Sequence, residues 1–150
     1  MSKSSRQQPL FRNQFKIFIP ITTRWMDNDC YGHINNVVYY SWFDTAVNAY
    51  LIQEGVLDPS EGETIGLVVS SSCHYFESIS YPEPVEVGIA VTRLGKSSVE
   101  YRIGIFTKGL DQSSAWGNFV HVYVSKLTRK PVEQLPSSFK LSLENIYVSA

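Results

Sequence analysis

Asn36-Val37-Val38-Tyr39-Tyr40-Ser41-Trp42-Phe43-Asp44-Thr45-Ala46-Val47-Asn48-Ala49-Tyr50-Leu51-Ile52-Gln53-Glu54-Gly55 is the stretch whose reading decides the fold. Tyr39, Trp42, Phe43, Ala46, Val47, Tyr50 and Leu51 recur at three- and four-residue steps, which makes one continuous apolar stripe at the helical period. Asn35 or Asn36 supplies an N-cap, because an Asn side-chain oxygen accepts from a free first-turn amide. Gly55 stands where a left-handed residue ends a helix. The spacing therefore predicts a helix over Asn36–Glu54, roughly 28 Å long at about 1.5 Å per residue.

Outward from this helix the period falls to two. Before it, Phe15, Ile17, Ile19 and Ile21 share one face and read as a strand. After a Gly/Pro/Glu-rich loop, Leu67–Phe76 reads as another. Val85, Val87, Ile89 and Val91 then alternate with Glu86, Gly88, Ala90 and Thr92. Val99, Tyr101, Ile103 and Ile105 alternate with Glu100, Arg102, Gly104 and Phe106. The turn Leu94-Gly95-Lys96-Ser97 joins these two runs as a hairpin. Trp116–Ser125 is the last clear strand, and residues 131–150 carry no decisive pattern. A helix with an apolar stripe as long as a strand needs a curved sheet around it. The expectation is an α+β fold in which one long central helix is wrapped by a curved antiparallel sheet of about five strands. It forms a single domain over 15–150, after a flexible polar tail over 1–14. The sheet face away from the helix has no obvious cover, and two copies could join edge to edge.

Composition narrows the function classes. The chain has 150 residues with a formal net charge of -1, and 43% of it is hydrophobic. That is one globular domain with a real core. A sequence pI of about 6.3 without any basic block argues against nucleic acid as a partner. No apolar run approaches the ~20 residues of a membrane span, and none near the N-terminus resembles a secretory leader. Cys30 and Cys73 make neither a disulfide framework nor a zinc site. A reducing, cytoplasmic setting is the default expectation.

The chemistry-bearing segment is Arg24-Trp25-Met26-Asp27-Asn28-Asp29-Cys30-Tyr31-Gly32-His33-Ile34-Asn35-Asn36, between the first strand and the helix. A carboxylate there lies beside a helix N-terminus, whose free N–H groups can donate to an oxyanion. That pairing is a minimal acyl-transfer site. Simpler readings stand beside it. Asp27-Asn28-Asp29 suits an Asx-turn cluster, and Asp27 is expected to be structural. A calcium loop fails, because its fifth position is Tyr31 and its twelfth is Val38. Cys30 has no activating neighbour. Cys73 and His74 point to opposite faces of a regular strand and form no dyad. No Gly-x-Ser-x-Gly elbow is present.

The pattern Arg-Trp-x-Asp-x-Asp-x-x-Gly-His-x-Asn-Asn-x-x-Tyr over Arg24–Tyr39, followed by Trp42-Phe43, resembles the signature of the 4-hydroxybenzoyl-CoA thioesterase-like hot-dog family. It is especially similar to the branch carrying Gly-His-x-Asn-Asn, which plant acyl-carrier-protein thioesterases share. The strand order matches over about residues 15–130. The resemblance implies hydrolysis of an acyl-CoA or acyl-carrier-protein thioester, with no cofactor because coenzyme A is part of the substrate. It implies Asp29 as nucleophile or general base, and backbone N–H near Asn36 polarising the carbonyl. It implies a role for His33, either direct or as a loop-holding group. Other branches carry His where this chain has Asn36, and Tyr where it has Trp25. One branch uses an acid on the central helix, where Asp44 and Glu54 stand. Trp25, Asn35 and Tyr39 are expected around the substrate, although Tyr39 also belongs to the core stripe. Lys96 and Ser98 are expected near the pantetheine and phosphates, though turn chemistry explains them equally. A homodimer or homotetramer with its active site near the subunit interface is implied as well. A non-catalytic acyl-thioester binding module and a hot-dog dehydratase are the alternatives.

The chemistry suits a sparse site. A thiolate leaves readily, with a pKa near ~8.5 on the cysteine model. Activating water or attacking directly, and stabilising the oxyanion, is what remains.

Overall fold

A computed structural model describes residues 6–149. Strands β1 (Ile17–Ile21), β2 (Thr64–Ser71), β3 (His74–Tyr75), β4 (Val85–Leu94), β5 (Ser98–Thr107) and β6 (Ala115–Ser125) accompany helices α1 (Asn36–Gln53) and α2 (Ser137–Glu144). The sheet order is β1-β4-β5-β6-β2, with the short β3 also on β6. Every strand pairing in it is antiparallel. The architecture is the α+β hot-dog arrangement of one long helix against a curved sheet.

The helix forms where its stripe predicts. Asn35 is the N-cap, and its side chain accepts from the Val37 amide at 3.0 Å. At the other end Gly55 takes φ 72°. The Gly55 amide donates to the Ile52 carbonyl and the Val56 amide to the Leu51 carbonyl. This is the Schellman closure a left-handed glycine permits. All seven stripe residues are buried. They pack on Val85, Val87, Ile89 and Val91 of β4 and on Val99, Tyr101, Ile103 and Ile105 of β5.

The stretch Leu67–Phe76, expected as one strand, is two. Gly117 of β6 is the reason, since a Cβ there would run into the Ser72 carbonyl. The backbone crosses so closely at Ser72–Cys73 that regular pairing stops, and it resumes with His74 opposite Trp116 and Tyr75 opposite Ala115. The segment without a clear pattern, residues 131–150, contains α2. Its Phe139 and Leu143 close the end of the core, and the Tyr50 hydroxyl donates to the Ser142 carbonyl at 2.6 Å.

The polar segment expected to be a loose tail is tied down from Gln8 onward. The Trp116 indole donates to the Gln8 carbonyl at 2.8 Å, and Leu10 and Ser113 exchange hydrogen bonds. Arg12 pairs with Glu86 at 2.9 Å and lies 4.9 Å over the Phe106 ring. Phe15 fills a notch made by two glycines facing each other across β4 and β5. A Cβ on Gly88 would come within 2.8 Å of its ring, and one on Gly104 within 2.6 Å. Burying such a phenyl contributes roughly 1.5–3 kcal/mol. The sheet face away from α1 is thus partly covered from within the chain. Among the described residues no helix is long and apolar enough to cross a membrane.

Candidate functional site

The segment between β1 and α1 is a set of short-range hydrogen bonds. Asp27 is 1% exposed and carries most of its first half. Its carboxylate accepts from the Arg24 amide at 2.8 Å and from the Arg24 guanidinium at 2.8 and 3.0 Å. Its carbonyl accepts from the Asn35 amide, which fixes the residue just before the helix. Asp27 is structural, as its neighbours in sequence suggested.

Beyond it, Asn28 and Ile34 bridge as the base of a tight loop. Gly32 at its tip has φ 83°, a conformation costly for residues with a Cβ. Asp29 closes the loop. Its Oδ1 accepts from the Tyr31 amide at 2.8 Å and the His33 amide at 3.3 Å. Its own amide donates to the His33 carbonyl at 2.8 Å. Oδ2 has no hydrogen-bond partner among the described residues. One oxygen is therefore anchored while the other stays available, which is how a base or nucleophile is held in orientation. The loop docks on residues 79–81. The Ile34 amide donates to the Ile79 carbonyl, Ser80 Oγ to the Gly32 carbonyl, and the Tyr81 amide to Asn28 Oδ1.

The helix N-terminus follows directly. The Val37 amide is taken by the Asn35 side chain and the Val38 amide by the Asn35 carbonyl. The Asn36 amide has no acceptor among the described residues. Asn36 thus offers a free N–H at the positive end of an 18-residue helix. Beside it lies a cavity of about 270 Å³ lined by Ile34, Asn36, Tyr39, Tyr75, Phe76, Glu77 and Ser78. Tyr39 packs edge-on against Tyr75 at 5.1 Å, and burial pushes its phenol up to about 12. The Tyr75 hydroxyl donates to the Asn36 carbonyl at 3.4 Å, and burial holds it protonated too. Burial also raises the nearby Cys73 thiol to about 11, which leaves it a poor nucleophile.

The structure brings Asp29, His33, Asn35, Asn36 and Tyr39 to one end of α1. His33 is exposed and its imidazole makes no hydrogen bond among the described residues, so only its backbone joins the loop. Trp25 is 79% exposed and leans on Tyr81 at 6.1 Å. Lys96 and Ser98 lie elsewhere in the chain. The loop contacts the start of β4, where Thr23 Oγ1 donates to the Glu83 carbonyl, whereas the hairpin turn follows its end. Ten strand residues separate the two, roughly 30 Å at about 3.3 Å each. There Lys96 lines a separate cavity of about 1010 Å³ with Val132, Leu135, Lys140 and Glu144. Tyr75 and Phe76 had not been expected near the helix N-terminus. The break in the strand at Ser72–Cys73 is what turns them toward it.

The His33 imidazole thus holds no part of the loop, whereas its backbone amide and carbonyl do. His33→Gln is expected to lower thioester turnover less than tenfold and to leave the shape of the pH–rate profile unchanged. Loss of a limb near ~6.5, the ordinary histidine value, would make it a proton carrier.

The fold has counterparts among known proteins. The family model described as "Thioesterase superfamily" matches residues 31–113, more than half of the chain. The crystal structure of the PA5185 protein from Pseudomonas aeruginosa is similar at 49% identity and a TM-score of 0.92, covering 95% of this chain and 99% of that one. A DHNA-CoA thioesterase from Staphylococcus aureus is similar at 25% identity and a TM-score of 0.70, covering 77% and 78%. The YsmA protein of Bacillus subtilis (strain 168) is 24% identical over 123 residues, 81% of this chain and 82% of its own length. The chain belongs to the thioesterase superfamily.

Proposed function

We propose that the protein hydrolyses an acyl-CoA to a carboxylic acid and free coenzyme A. One observation carries this reading: a half-anchored carboxylate, Asp29, stands in the loop that leads straight to a helix N-terminus with a free amide at Asn36. The Asn36 N–H donates a hydrogen bond to the thioester oxygen as negative charge builds there. Asp29 Oδ2 either takes a proton from water as it adds to the carbonyl, or adds itself to give an anhydride that water then opens. In both routes the C–S bond breaks, the electron pair leaves with sulfur as thiolate, and no strong acid is required. Carrier-protein thioesters present the same reacting atoms and belong to the same reading.

The Oδ1 contacts of Asp29 equally favour a second reading, in which the carboxylate only shapes a binding loop. Thiol release over a panel of acyl-CoAs decides between hydrolase, binding module and dehydratase. Steady thiol release supports the first, and its absence across the panel with retained acyl-CoA binding supports the second.

We further propose that the working unit is a homodimer or homotetramer with the site at the interface. The outer edge of β2 pairs with no strand among the described residues, and Leu67, Val68 and Val69 on it are 41%, 49% and 58% exposed. An apolar edge of this kind is a template for a second copy. Trp25, Met26 and Tyr31 beside Asp29 are exposed as well, at 79%, 75% and 82%. Light scattering should give at least twice the 17.0 kDa chain mass. A monomer mass in active protein would refute the assembly.

A further inference from the structure

Between the sheet and the middle of α1 lies a buried polar chain that the proposed hydrolysis does not use. Tyr101 of β5 and Tyr123 and His121 of β6 point to the helix side of the sheet, and all three are at most 2% exposed. The Tyr101 and Tyr123 hydroxyls are 2.7 Å apart, and Tyr123 Oη is 3.3 Å from His121 Nδ1. The His121 ring is packed by Phe119 at 4.6 Å and Tyr101 at 5.3 Å. Gly66, opposite Tyr123 on β2, leaves room for this group, since a Cβ there would reach 3.2 Å from His121 Nδ1. His121 Nε2 is buried and has no hydrogen-bond partner among the described residues.

Proton bookkeeping fixes what that atom is. If Tyr101 donates to Tyr123 and Tyr123 donates to Nδ1, both hydroxyl hydrogens are placed and the imidazole proton sits on Nε2. The reverse direction strands the Tyr101 hydrogen and leaves Nε2 a bare acceptor, two unmet groups instead of one. Burial lowers the imidazole to about 4, only partly offset by Asp44 on α1, so the ring is neutral at working pH. The outcome is one buried N–H donor lacking an acceptor, and such groups are rare without a purpose.

Its position suggests the acceptor. The α1 backbone runs over β1 and β4, with no comparable approach to β2. Val68, cross-strand partner of His121, is therefore 49% exposed on the helix side. The sheet is thus open to solvent at Val68, next to His121 and to Phe119, which meets Phe43 of the helix at 5.9 Å. The level of Phe43 and Asp44 lies about 12 Å down the helix from Asn36, at about 1.5 Å per residue. Resting on the thioesterase reading, we propose that His121 Nε2–H receives a hydrogen-bond acceptor carried on the far part of the acyl group. The preferred substrates are then oxygen-bearing acyl thioesters, hydroxylated or oxo-substituted, rather than plain hydrocarbon ones.

The test compares straight-chain acyl-CoAs from hexanoyl to decanoyl with their ω-hydroxy counterparts. Wild-type protein should favour the hydroxylated member by about tenfold or more in kcat/KM at one length, the range one buried hydrogen bond gives. His121→Phe should remove that ratio, and His121→Gln, whose amide can still donate, should keep part of it. Near-ultraviolet circular dichroism checks that each variant keeps its packed core. A wild-type protein without preference at any length, or a preference surviving in a folded His121→Phe, overturns the inference while thioester hydrolysis stands. Failure to release thiol from any member overturns the hydrolase reading and this inference with it.

Discussion

Asp29→Asn is expected to lower kcat by about a hundredfold or more, the scale of a lost general base, with the fold unchanged. The substitution is chosen for what it keeps. Asn retains an Oδ1 that can accept from the Tyr31 and His33 amides, so the loop stays closed. It removes the charge and the basic Oδ2. Asp29→Ala would remove both and confuse catalysis with loop geometry. Asp27→Asn is the matched control. Asp27 is buried with its carboxylate fully engaged by Arg24, so the change should lower the melting temperature and affect kcat far less. Thiol-release kinetics beside thermal melts separate the two. An Asp29→Asn protein with near wild-type turnover on its best substrate would falsify the mechanism.

Asn36→Pro is expected to cost a further large factor, roughly 10²–10³ in kcat, as for other oxyanion donors. Proline usually destroys a helix, but the first helical position tolerates it because its N–H bonds nothing within the helix. Asn36 is that position, and its amide has no acceptor among the described residues. The residue before a proline must be extended, and Asn35 already is, at φ -62° and ψ 136°. The variant removes the backbone N–H together with the Asn36 side chain, which Asn36→Ala removes alone as the control, and it leaves the Asn35 cap in place. Unchanged far-ultraviolet circular dichroism with collapsed kcat is the expected pair of results. Retained kcat would move the oxyanion site away from this amide.

The helix and its cap were legible because seven apolar residues repeat over three turns, and a long periodic signal outweighs local ambiguity. The loop around Asp29 was legible through its composition, since Asp27, Gly32, His33 and the two Asn residues make sense together as a loop entering a helix. What stayed hidden depends on contacts across strands. The cover over the outer face needs Gly88 opposite Gly104, a pairing visible only once the hairpin register is known. The break before β3 needs Gly117 against Ser72. The α2 helix buries only Phe139, Ser142 and Leu143, too few to set a period. His121 did leave a trace. It alternates with Phe119 and Tyr123 on the core face, and a polar ring in that series marks a buried group. Lys96 shows the converse. Hairpin chemistry located the turn correctly, but a ten-residue strand carries it to the far end of the domain from Asp29.

The segment from Gln8 to Phe15 also bears on the order in which the chain can assemble. Its hydrogen bonds join Gln8 to Trp116 and Leu10 to Ser113, 108 and 103 positions apart. Closing loops of that length is entropically slow compared with forming the neighbouring hairpin of β4 and β5. During synthesis this segment emerges before β6 and cannot find its seat until β6 has followed it out. A segment made before most of the sheet is thus among the last to dock, held in reserve until the strands that receive it exist.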